Sequence, residues 1–469
     1  MTDKIEPKNV TCYIPIEVKA RELDSKLYLA FRLAKEGFSV IIGSKIGVHK
    51  NIFVQKKRFI YFDKGISKSL WNFYRAIKAS NGLIVEIHEE GQIGSDPSNI
   101  ITDHNNHCAE LFSLIFTWGQ KQKDIILKNC IRLKKNVIIN TGHPSFDLLN
   151  KNHLTYYHKL SKLHYGVKSN YVLINTNFSD CNGYLSYDEF VKFNAGIGGN
   201  KEFYNDQKRK EWKKRSELQE KVLIEFLKMI KILSISFPKK KFVVRPHPVE
   251  KMDIYKKEFC NLDNVNVIRE GSAREWIVDA ESVIHYDCTT GIEAFLAGKN
   301  VISFCPFYDE ESAAQVPIKI SIKIKNINKL VEFIKNNYKD DNLTSFEIKK
   351  ENIKILENIF ANVEKEATSQ IVTSIKKICE EWTGKETKIL KKYYYLFIFK
   401  FQNLIKRLEI RYFMKANKTK KFDDLVNYKI SYLNKNELSE RLNIWYEHFS
   451  TPSRLKIKEI MSDTFLIEN

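Results

Sequence analysis

The sequence predicts an α/β protein with two doubly wound halves that face a cleft, followed by a basic helical C-terminal segment. Three observations predict it. Apolar runs of strand length alternate with segments of helical periodicity, the alternation stops near residue 165 and starts again, and basic and aromatic residues are concentrated after residue 384. Strands that alternate with helices form a parallel sheet covered on both faces.

Length and composition support more than one globular core. A chain of 469 residues exceeds the usual size of one domain. Apolar residues make up 43% of it and aromatic residues 12%, with only 18 Gly and 10 Pro. This composition excludes a disordered or fibrous chain.

The first half begins with a strand, a helix and a strand. The apolar run 10–16 predicts the first strand, the helical spacing of apolar residues predicts a helix over 21–36, and the run 38–42 predicts the next strand. The same alternation continues to residue 140, with strands expected at 59–62, 82–87, 114–118 and 137–140.

A polar stretch over 150–170 separates the halves, and strands are expected again at 171–176, 241–244, 265–268, 282–285 and 301–304. We therefore expect Rossmann-type units at residues 1–165 and 166–383 and a tail at 384–469. In doubly wound folds, the crevice at the carboxyl ends of the strands is the usual ligand site.

The charge is strongly basic. Lys and Arg number 77 against 57 Asp and Glu, a formal net charge of +20, which favours nucleic acid, anionic lipid or phosphorylated small molecules as partners. Residues 385–429 hold 13 basic and 4 acidic residues among many aromatic ones. Such a segment suits an anionic bilayer surface, and it equally suits a helix that packs back across both halves.

The cysteines and the N-terminus predict a location inside the cell. The eight cysteines form no Cys-x-x-Cys pair, which is typical of reduced thiols. The first residues lack the apolar core of a signal peptide, and no run approaches the ~18 apolar residues that a membrane span needs.

Several site classes are disfavoured. The eleven histidines form no His-x-x-x-His pair with a carboxylate, so we expect no metal. The chain has no Gly-x-Gly-x-x-Gly and no phosphate-binding Gly-x-x-x-x-Gly-Lys-Thr, which argues against dinucleotide oxidoreductases and P-loop enzymes, and we expect no cofactor.

The second half offers two candidate phosphate sites at strand ends. Arg245-Pro246-His247-Pro248 is a rigid turn in which Arg245 and His247 could face a phosphate. Thr289-Thr290-Gly291 leads from a strand into a helix, where hydroxyl and N–H groups could hold the same phosphate, and Glu293 could reach a ribose. A rigid loop and an ordinary helix cap would use the same residues.

The first half places Glu89-Glu90-Gly91 after a strand. A carboxyl group that is partly desolvated in a cleft has a raised pKa, as a general base needs, whereas a solvated acidic loop would have no such role. Asp180 is a lone carboxylate at another strand end. Lys19 and Arg21 follow the first strand and could bind the carboxylate of an acidic sugar or only begin a helix.

Together, Glu89-Glu90-Gly91, His247-Pro248 and Thr289-Thr290 resemble the motifs of bacterial sialyltransferases and Kdo transferases, which have a GT-B fold and use CMP-activated acidic sugars. The run 14–24, Thr117-Trp118-Gly119 and the loop 142–147 further resemble surface carbohydrate biosynthesis proteins of the lipopolysaccharide and capsule kind. The likeness covers about residues 10 to 310.

The resemblance implies a glycosyltransferase that moves Kdo or a sialic-acid-like sugar from a CMP-linked donor to a polysaccharide or lipid-linked acceptor. Glu90, in preference to Glu89, would be the acid/base, and Asp180 would be the nucleophile if the reaction retains configuration. His247, Thr289 and Thr290 would bind the CMP phosphate and Glu293 the ribose. The enzyme would be cytoplasmic and peripheral to the inner face of the plasma membrane.

Two alternatives remain open from the sequence. One is a CDP-polyol phosphotransferase of the teichoic-acid type, which resembles this chain in its His-Pro turn and basic character. The other is a protein that binds nucleic acid through its basic aromatic tail, although the charge lies far from the acidic pair in the sequence, so we expect no nucleic-acid partner.

Overall fold

The computed structural model describes most of the chain. Its described ranges are 5–54, 57–89, 106–130, 132–166, 170–186, 206–311, 313–339, 342–343, 350–357, 359–361, 365–382, 387–417, 432–451 and 453–469.

The first half is built on a sheet of eight strands, of which six are parallel. In chain order, the six are β1 (Val10–Ile16), β2 (Ser39–Ser44), β3 (Arg58–Asp63), β4 (Leu83–Ile87), β5 (Leu114–Thr117) and β6 (Ile138–Asn140). Two strands from the end of the chain complete the sheet, β15 (Lys456–Met461) and β16 (Thr464–Glu468). The strand order is β15-β16-β2-β1-β3-β4-β5-β6, with β16 antiparallel to β2.

Helices cover this sheet between its strands. They are α1 (Lys19–Lys35), α2 (Lys45–Asn51), α3 (Trp71–Ala79), α4 (Asn106–Ala109), α5 (Gln120–Asn129), α6 (Pro144–Asp147) and α7 (Leu154–Tyr165). All seven residues of β1 are buried, as a strand covered on both faces requires.

The second half is built on a sheet of six parallel strands. They are β7 (Tyr171–Asn175), β8 (Lys241–Arg245), β9 (Val265–Val267), β10 (Ser282–His285), β11 (Asn300–Phe304) and β12 (Ile322–Ile324). The order β12-β11-β10-β7-β8-β9 is that of a Rossmann fold. A short hairpin follows, β13 (Tyr338–Lys339) with β14 (Asn342–Leu343).

The helices of this half are α8 (Ser179–Asn182), α9 (Asp206–Ser236), α10 (Asp253–Phe259), α11 (Ala273–Ile277), α12 (Thr290–Leu296), α13 (Gln315–Lys319), α14 (Ile327–Asn336) and α15 (Lys350–Glu357). The two Rossmann-type parallel sheets and the helical segment that follows them confirm the predicted GT-B-like fold class.

The two halves share hydrophobic packing. One continuous cluster of buried side chains includes Leu23 and Phe62 from the first half and Trp276 and Ile292 from the second. Helix α7 contacts α11 across this boundary. The halves are therefore joined by an apolar contact as well as by the chain.

The C-terminal segment packs mainly on the first half. It contains α17 (Ile389–Asn417) and α18 (Lys435–His448), and it follows α16 (Ala367–Glu380), the last helix before residue 384. Helix α16 contacts α1, α17 contacts α3, and α18 contacts α1 and α7. The division of the chain at residues 165 and 383 stays a prediction.

One feature of the predicted tail is wrong. We expected residues 384–469 to be helical, but 456–461 and 464–468 form strands that extend the first sheet. Main-chain pairing with β2 stabilises β16, and its Phe465 and Ile467 are buried in the core of the first half. This pairing joins segments more than 400 residues apart, so the local pattern of the tail does not reveal it.

No helix within the described residues is both long enough and apolar enough to cross a membrane. None of the eight cysteines forms a disulfide bond; six of them are buried, Cys181 is partly buried and Cys260 is exposed.

Candidate active site

Strand order fixes where a ligand site is expected. In the first sheet the order turns at β1, which lies between β2 and β3, and in the second it turns between β7 and β10. At such points the connections leave on opposite faces, so a crevice opens at the carboxyl ends of the strands. The residues after β1 and β3 and those after β7 and β10 therefore border these crevices, and β4 and β8 are the next strands along each sheet.

A buried cluster of charges lies beyond the ends of β1 and β4. The side chain of Glu89 is only 3% exposed, and its Oε1 lies 3.3 Å from Lys26 Nζ. Lys26 also lies 2.8 Å from Glu22 Oε2 and donates to the carbonyl of Pro15 at 2.8 Å. Two carboxylates thus share one ammonium group away from water.

The pKa values of this cluster follow from burial and from the charges. Burial raises the pKa of Glu89, and the neighbouring Glu22 raises it further, while Lys26 and Arg21 lower it in part. Burial disfavours the charged form of Lys26, but Glu22 and Glu89 outweigh it and raise its pKa. A carboxylate with a raised pKa next to a fixed ammonium suits proton transfer.

His143 faces Glu89 from the loop after β6. Its Nδ1 accepts a hydrogen bond from the Ser145 N–H at 3.1 Å, which leaves the proton of a neutral ring on Nε2. That atom lies 3.5 Å from Glu89 Oε2. Burial lowers the pKa of His143 well below its usual value, and the charge of Arg274 adds to this, so the ring is neutral.

The turn that carries Glu89 is itself held in place. The indole N–H of Trp118 donates to the carbonyl of His88 at 2.6 Å, and the N–H of Glu89 donates to the carbonyl of Lys64 at 3.3 Å. Glu90, preferred in the sequence analysis, and Gly91 lie outside the described residues.

His247 follows β8 in the second half. Its main-chain N–H donates to Glu250 Oε1 at 2.9 Å, and its Nδ1 accepts from the Val249 N–H at 3.4 Å, so the ring proton lies on Nε2. Burial, with the charges of Arg269 and Arg21, lowers the pKa of His247 to about 4. At neutral pH His247 is an uncharged hydrogen-bond donor.

Glu250 fixes the shape of the His-Pro turn. It is fully buried and accepts from Thr176 Oγ1 at 2.8 Å and from the Tyr255 hydroxyl at 2.6 Å, besides the His247 N–H. Three donors from three segments converge on one carboxyl group, which therefore sets the position of the imidazole.

Arg21 brings the two halves of the site together. It lies in the first turn of α1 in the first half, and its charge lowers the pKa of both Glu89 and His247. Its carbonyl oxygen lies 3.4 Å from Arg274 Nη1 of the second half. The carboxylate of the first half and the imidazole of the second thus lie within electrostatic reach of one arginine.

The loop before α12 has the helix-cap position expected of Thr289-Thr290-Gly291, but its side chains make other contacts than the expected cap. Thr289 is exposed and occupies the N-cap position without a side-chain hydrogen bond, while Thr290 Oγ1 donates to Cys288 Sγ at 3.1 Å. A Cβ on Gly291 would lie 2.4 Å from Nε2 of His285, so close packing against that ring accounts for the glycine. A role for Gly291 in phosphate binding is not needed to explain it.

Glu293 is bound by an arginine. Its Oε1 accepts from Arg274 Nε at 3.0 Å and from Nη2 at 2.8 Å, and Arg274 is itself buried. The ion pair joins α11 to α12 at the boundary with the first half. The ribose contact expected of Glu293 would have to use its other carboxylate oxygen, Oε2.

Three other residues of the predicted site have structural partners. Asp180 pairs with Arg215 of α9, and an arginine-bound carboxylate is a poor nucleophile. Lys19 lies 2.6 Å from Glu437 Oε2 and donates to the Tyr432 carbonyl at 2.8 Å. Arg245 donates to the carbonyls of Glu270 and Gly271 at 2.6 and 3.0 Å. None of these three enters the function that we propose.

The sequence analysis missed three residues of this arrangement, which are Lys26, Glu250 and Arg274, and it included His143 only within the loop 142–147, without a role. Only Lys26 carried a local signal, since it stands four residues after Glu22 on the same helix. Over the described parts of the chain, no group of three or more His, Cys, Asp or Glu side chains is arranged to hold a metal ion.

Comparison with known proteins gives no family. No family model matches the sequence, and no curated protein matches it significantly. Among solved structures, the UDP-GlcNAc 2-epimerase of Methanocaldococcus jannaschii in complex with UDP-GlcNAc and UDP matches with a TM-score of 0.46 and 12% identity, over 78% of this chain and 99% of that one. A variant of the wall teichoic acid polymerase TagF matches with a TM-score of 0.48 and 9% identity, over 81% and 90%. The UDP-GlcNAc 2-epimerase of Neisseria meningitidis bound to UDP-GlcNAc matches with a TM-score of 0.44 and 14% identity, over 78% and 99%.

Proposed function

We propose that this chain is a glycosyltransferase that moves an acidic sugar, Kdo or a sialic-acid-like sugar, from a CMP-linked donor to the hydroxyl group of a surface glycan acceptor. The observation that carries the proposal is that one arginine, Arg21, acts by its charge both on a buried carboxylate with a raised pKa, Glu89, and on a neutral imidazole, His247. Glu89 stands at the end of a strand in one half and His247 at the end of a strand in the other.

The chemistry assigns a task to each half. The acceptor hydroxyl gives its proton to a carboxylate of the Glu89–Glu90 pair and attacks the anomeric carbon of the donor sugar. The bond from that carbon to the phosphate oxygen breaks, and negative charge grows on the phosphate of CMP. Hydrogen bonds and positive charge aimed at that phosphate lower the barrier.

Glu89 suits the role of base because burial raises its pKa. A base with a higher pKa takes a hydroxyl proton more readily, provided that it is ionised at the working pH. Lys26 keeps a positive charge 3.3 Å away, which stabilises the ionised form between turnovers. Glu90 remains the second candidate, on the strength of the motif alone.

His247 and Arg21 suit the leaving phosphate. The Nε2–H of a neutral His247 donates a hydrogen bond to a phosphate oxygen, and the guanidinium of Arg21, 38% exposed, supplies positive charge. Arg21 also offers the bidentate geometry that a sugar carboxylate prefers. The hydroxyl groups of Thr289 and Thr290 would complete the phosphate site, and Glu293 the ribose site.

The test is release of free nucleotide from a panel of donors. Purified protein is incubated with CMP-Kdo, CMP-sialic acid, CDP-glycerol and UDP-GlcNAc, with and without a glycan acceptor. We expect CMP from one of the CMP-sugars, faster with acceptor. CMP from CDP-glycerol alone would replace the proposal with polyol phosphate transfer, and salt-sensitive RNA binding without any nucleotide release would favour a nucleic-acid-binding protein.

We further propose that α17 rests on an anionic membrane surface at the cytoplasmic face. One side of this helix packs on α3 through Phe399, Gln402 and Tyr395. Its other side exposes large apolar residues, with Tyr393 at 63%, Phe397 at 70% and Leu390 at 88% exposure. Exposed aromatic rings beside Lys391 and Lys400 suit the headgroup layer of an anionic bilayer.

Sedimentation with vesicles tests this surface. Replacing Tyr393, Phe397 and Phe401 with Ser should lower binding to vesicles that contain phosphatidylglycerol at least fivefold. Ile235→Ser, an equally exposed apolar residue on α9, is the matched control. Truncation is unsuitable because residues 456–468 belong to the first sheet. Equal binding of the triple variant and wild type would exclude α17 as the contact.

A further inference from the structure

A large cavity lies on the first half, next to the candidate active site. It has a volume of about 1470 Å³ and is enclosed by the ends of β1 and β2 and by α2, α3 and α17. Pockets for small molecules commonly measure about 300–1,000 Å³. The cavity is therefore large enough for a ligand bigger than a nucleotide sugar.

Apolar side chains form much of its wall. Ile46 is 53% exposed, Val54 72% and Leu404 53%, and all three line the cavity. Buried Phe73 and Phe399 also line it, with ring centroids 5.1 Å apart. Exposed apolar groups gathered around one cavity indicate an apolar ligand, because water is a poor occupant of such a surface.

Positive charges surround the apolar wall. Lys45, Lys50, Lys68, Lys392 and Lys400 line the cavity. The acidic residues that line it are Glu17 and Asp463, and Glu17 is already paired with Lys45 at 3.2 Å and with Lys64 at 3.0 Å. The ligand is thus expected to combine an apolar chain with a negatively charged group.

The cavity connects to the proposed base through hydrogen bonds. Glu17 lies at its wall, and the Glu17 N–H donates to Glu22 Oε2 at 2.9 Å. The same oxygen is bound by Lys26, which lies 3.3 Å from Glu89. A headgroup at the β1 end of the cavity would therefore be linked to the carboxylate of Glu89 through Glu17, Glu22 and Lys26.

We infer that this cavity binds the apolar chain of a lipid acceptor whose head carries a phosphate group. The lysines contact the phosphate, the wall formed by α2, α3 and α17 contacts the chain, and a sugar linked to the phosphate reaches the end of β1. The role of this lipid as acceptor rests on the proposed transferase function, whereas lipid binding itself does not. The exposed ring of Tyr393 on α17 lines the cavity, so a lipid can enter there from a membrane surface.

The first experiment measures binding without any nucleotide. Dodecyl phosphate, kept below its micelle-forming concentration, is titrated into the full-length protein and followed by calorimetry. We expect one binding site on the wild type. Ile46→Glu combined with Leu404→Glu puts charge on the apolar wall and should weaken binding at least tenfold. Ile235→Glu, on the exposed face of α9 in the second half, is the matched control and should bind as wild type.

A second set of titrations separates the chain from the head. Inorganic phosphate alone and dodecyl maltoside, which has an uncharged head, should each bind at least tenfold more weakly than dodecyl phosphate. Lys50→Glu combined with Lys400→Glu should remove the preference for dodecyl phosphate over dodecyl maltoside. Equal affinity for phosphate alone would overturn the inference, because the apolar wall would then contribute nothing.

Two further results would also overturn it. They are the absence of dodecyl phosphate binding in the wild type and an equal loss of binding in Ile235→Glu. The proposed function is tested separately, by nucleotide release from donor in the absence of acceptor. If the variant with Ile46→Glu and Leu404→Glu still releases nucleotide but no longer binds dodecyl phosphate, both proposals stand. If the wild type binds dodecyl phosphate but releases no nucleotide, only the transferase proposal fails.

Discussion

At the residue scale, Lys26 supplies the positive charge that offsets the buried carboxylates of the candidate active site. It is the ammonium group shared by Glu22 and Glu89, and without it two buried carboxylates would face each other. Unpaired buried charges cost several kcal/mol. We therefore regard Lys26 as the residue that lets Glu89 be ionised at all, and Arg21 as the one that links this ionisation to the second half.

Glu89→Gln removes the carboxylate and keeps the size of the side chain. We expect the rate of sugar transfer to fall about 100-fold or more, the usual size of a general-base effect, while donor binding changes little. Transfer is measured as CMP release in the presence of acceptor. A variant as active as wild type would remove Glu89 from the mechanism and leave Glu90 as the candidate.

The pH dependence of transfer has a definite sign. An ionised Glu89 is required, so the rate should fall as the pH drops through its raised pKa. Arg21 lowers that pKa, so Arg21→Met should raise it and move the acid side of the kcat/KM profile to higher pH. An acid side that stays in place, or moves to lower pH, would contradict the assignment.

His247 is predicted to act as a neutral donor because burial lowers its pKa to about 4. His247→Ala should lower kcat about 100-fold, as loss of a donor to a developing anion commonly does. His247→Gln should recover part of this loss, since an amide N–H can also donate. If both variants were equally inactive, a charged imidazole or a structural role would explain the residue better.

At the scale of elements, α16 is joined to the first half by a side chain from another segment. Asp147 accepts from the N–H groups of Ala367 and Thr368, both at 2.7 Å, and from the Thr368 hydroxyl at 2.6 Å. It thus caps α16 from a distance and satisfies main-chain groups at the helix start, while burial raises the pKa of Asp147 to about 7.

Asp147→Ala should lower the free energy of unfolding by about 2 kcal/mol or more, because a cap is lost and buried N–H groups are left without a partner. The measurement is chemical denaturation followed by circular dichroism. Thr373→Ala, on an exposed position of the same helix, is the control and should change stability little. Equal stability of the two variants would show that α16 does not depend on this cap.

The hairpin β15–β16 comes from the C-terminal tail of the chain but belongs to the sheet of the first half. Its strand β16 pairs with β2, the strand beside the first switch point. Asp463 in its turn accepts from the Leu433 N–H at 3.0 Å and lines the cavity. The end of the chain therefore contributes to the wall of the proposed lipid site.

At the scale of the whole molecule, the two halves act as one structure. Their hydrophobic cluster is continuous, and Arg274 of the second half contacts the carbonyl of Arg21 and the side chain of Glu293. The packing of α7 on α11 and of the C-terminal helices on α1 and α7 holds the relative position of the halves.

Much of the fold could be predicted from the sequence. The strands at Val10–Ile16, Leu83–Ile87 and Ser282–His285 lie where their apolar runs predicted them. A strand buried on both faces needs such a run whatever its neighbours are. The residues that follow these strands were predictable for the same reason, since the carboxyl end of a parallel strand is where functional groups gather.

The partners within the site were not predictable in this way. Glu89 meets Lys26 across 63 positions of the chain and His143 across 54, and Arg274 meets Arg21 across 253. Nothing in the local pattern around Asp180 or Lys19 shows that each is bound by an ion-pair partner from another element. Such contacts depend on strand order and on the way the halves pack.

The sequence by itself determined the two series of strands and helices, the basic aromatic character of the C-terminal segment and the strand ends that carry Glu89 and His247. These follow from hydrophobic periodicity and turn residues, which act over a few neighbours. Only the tertiary structure decided that Arg21 lies between the halves, that Arg245 holds a loop, that the last residues extend the first sheet and that α17 closes a cavity. Contacts between distant segments depend on how the whole chain packs, and local patterns do not encode that.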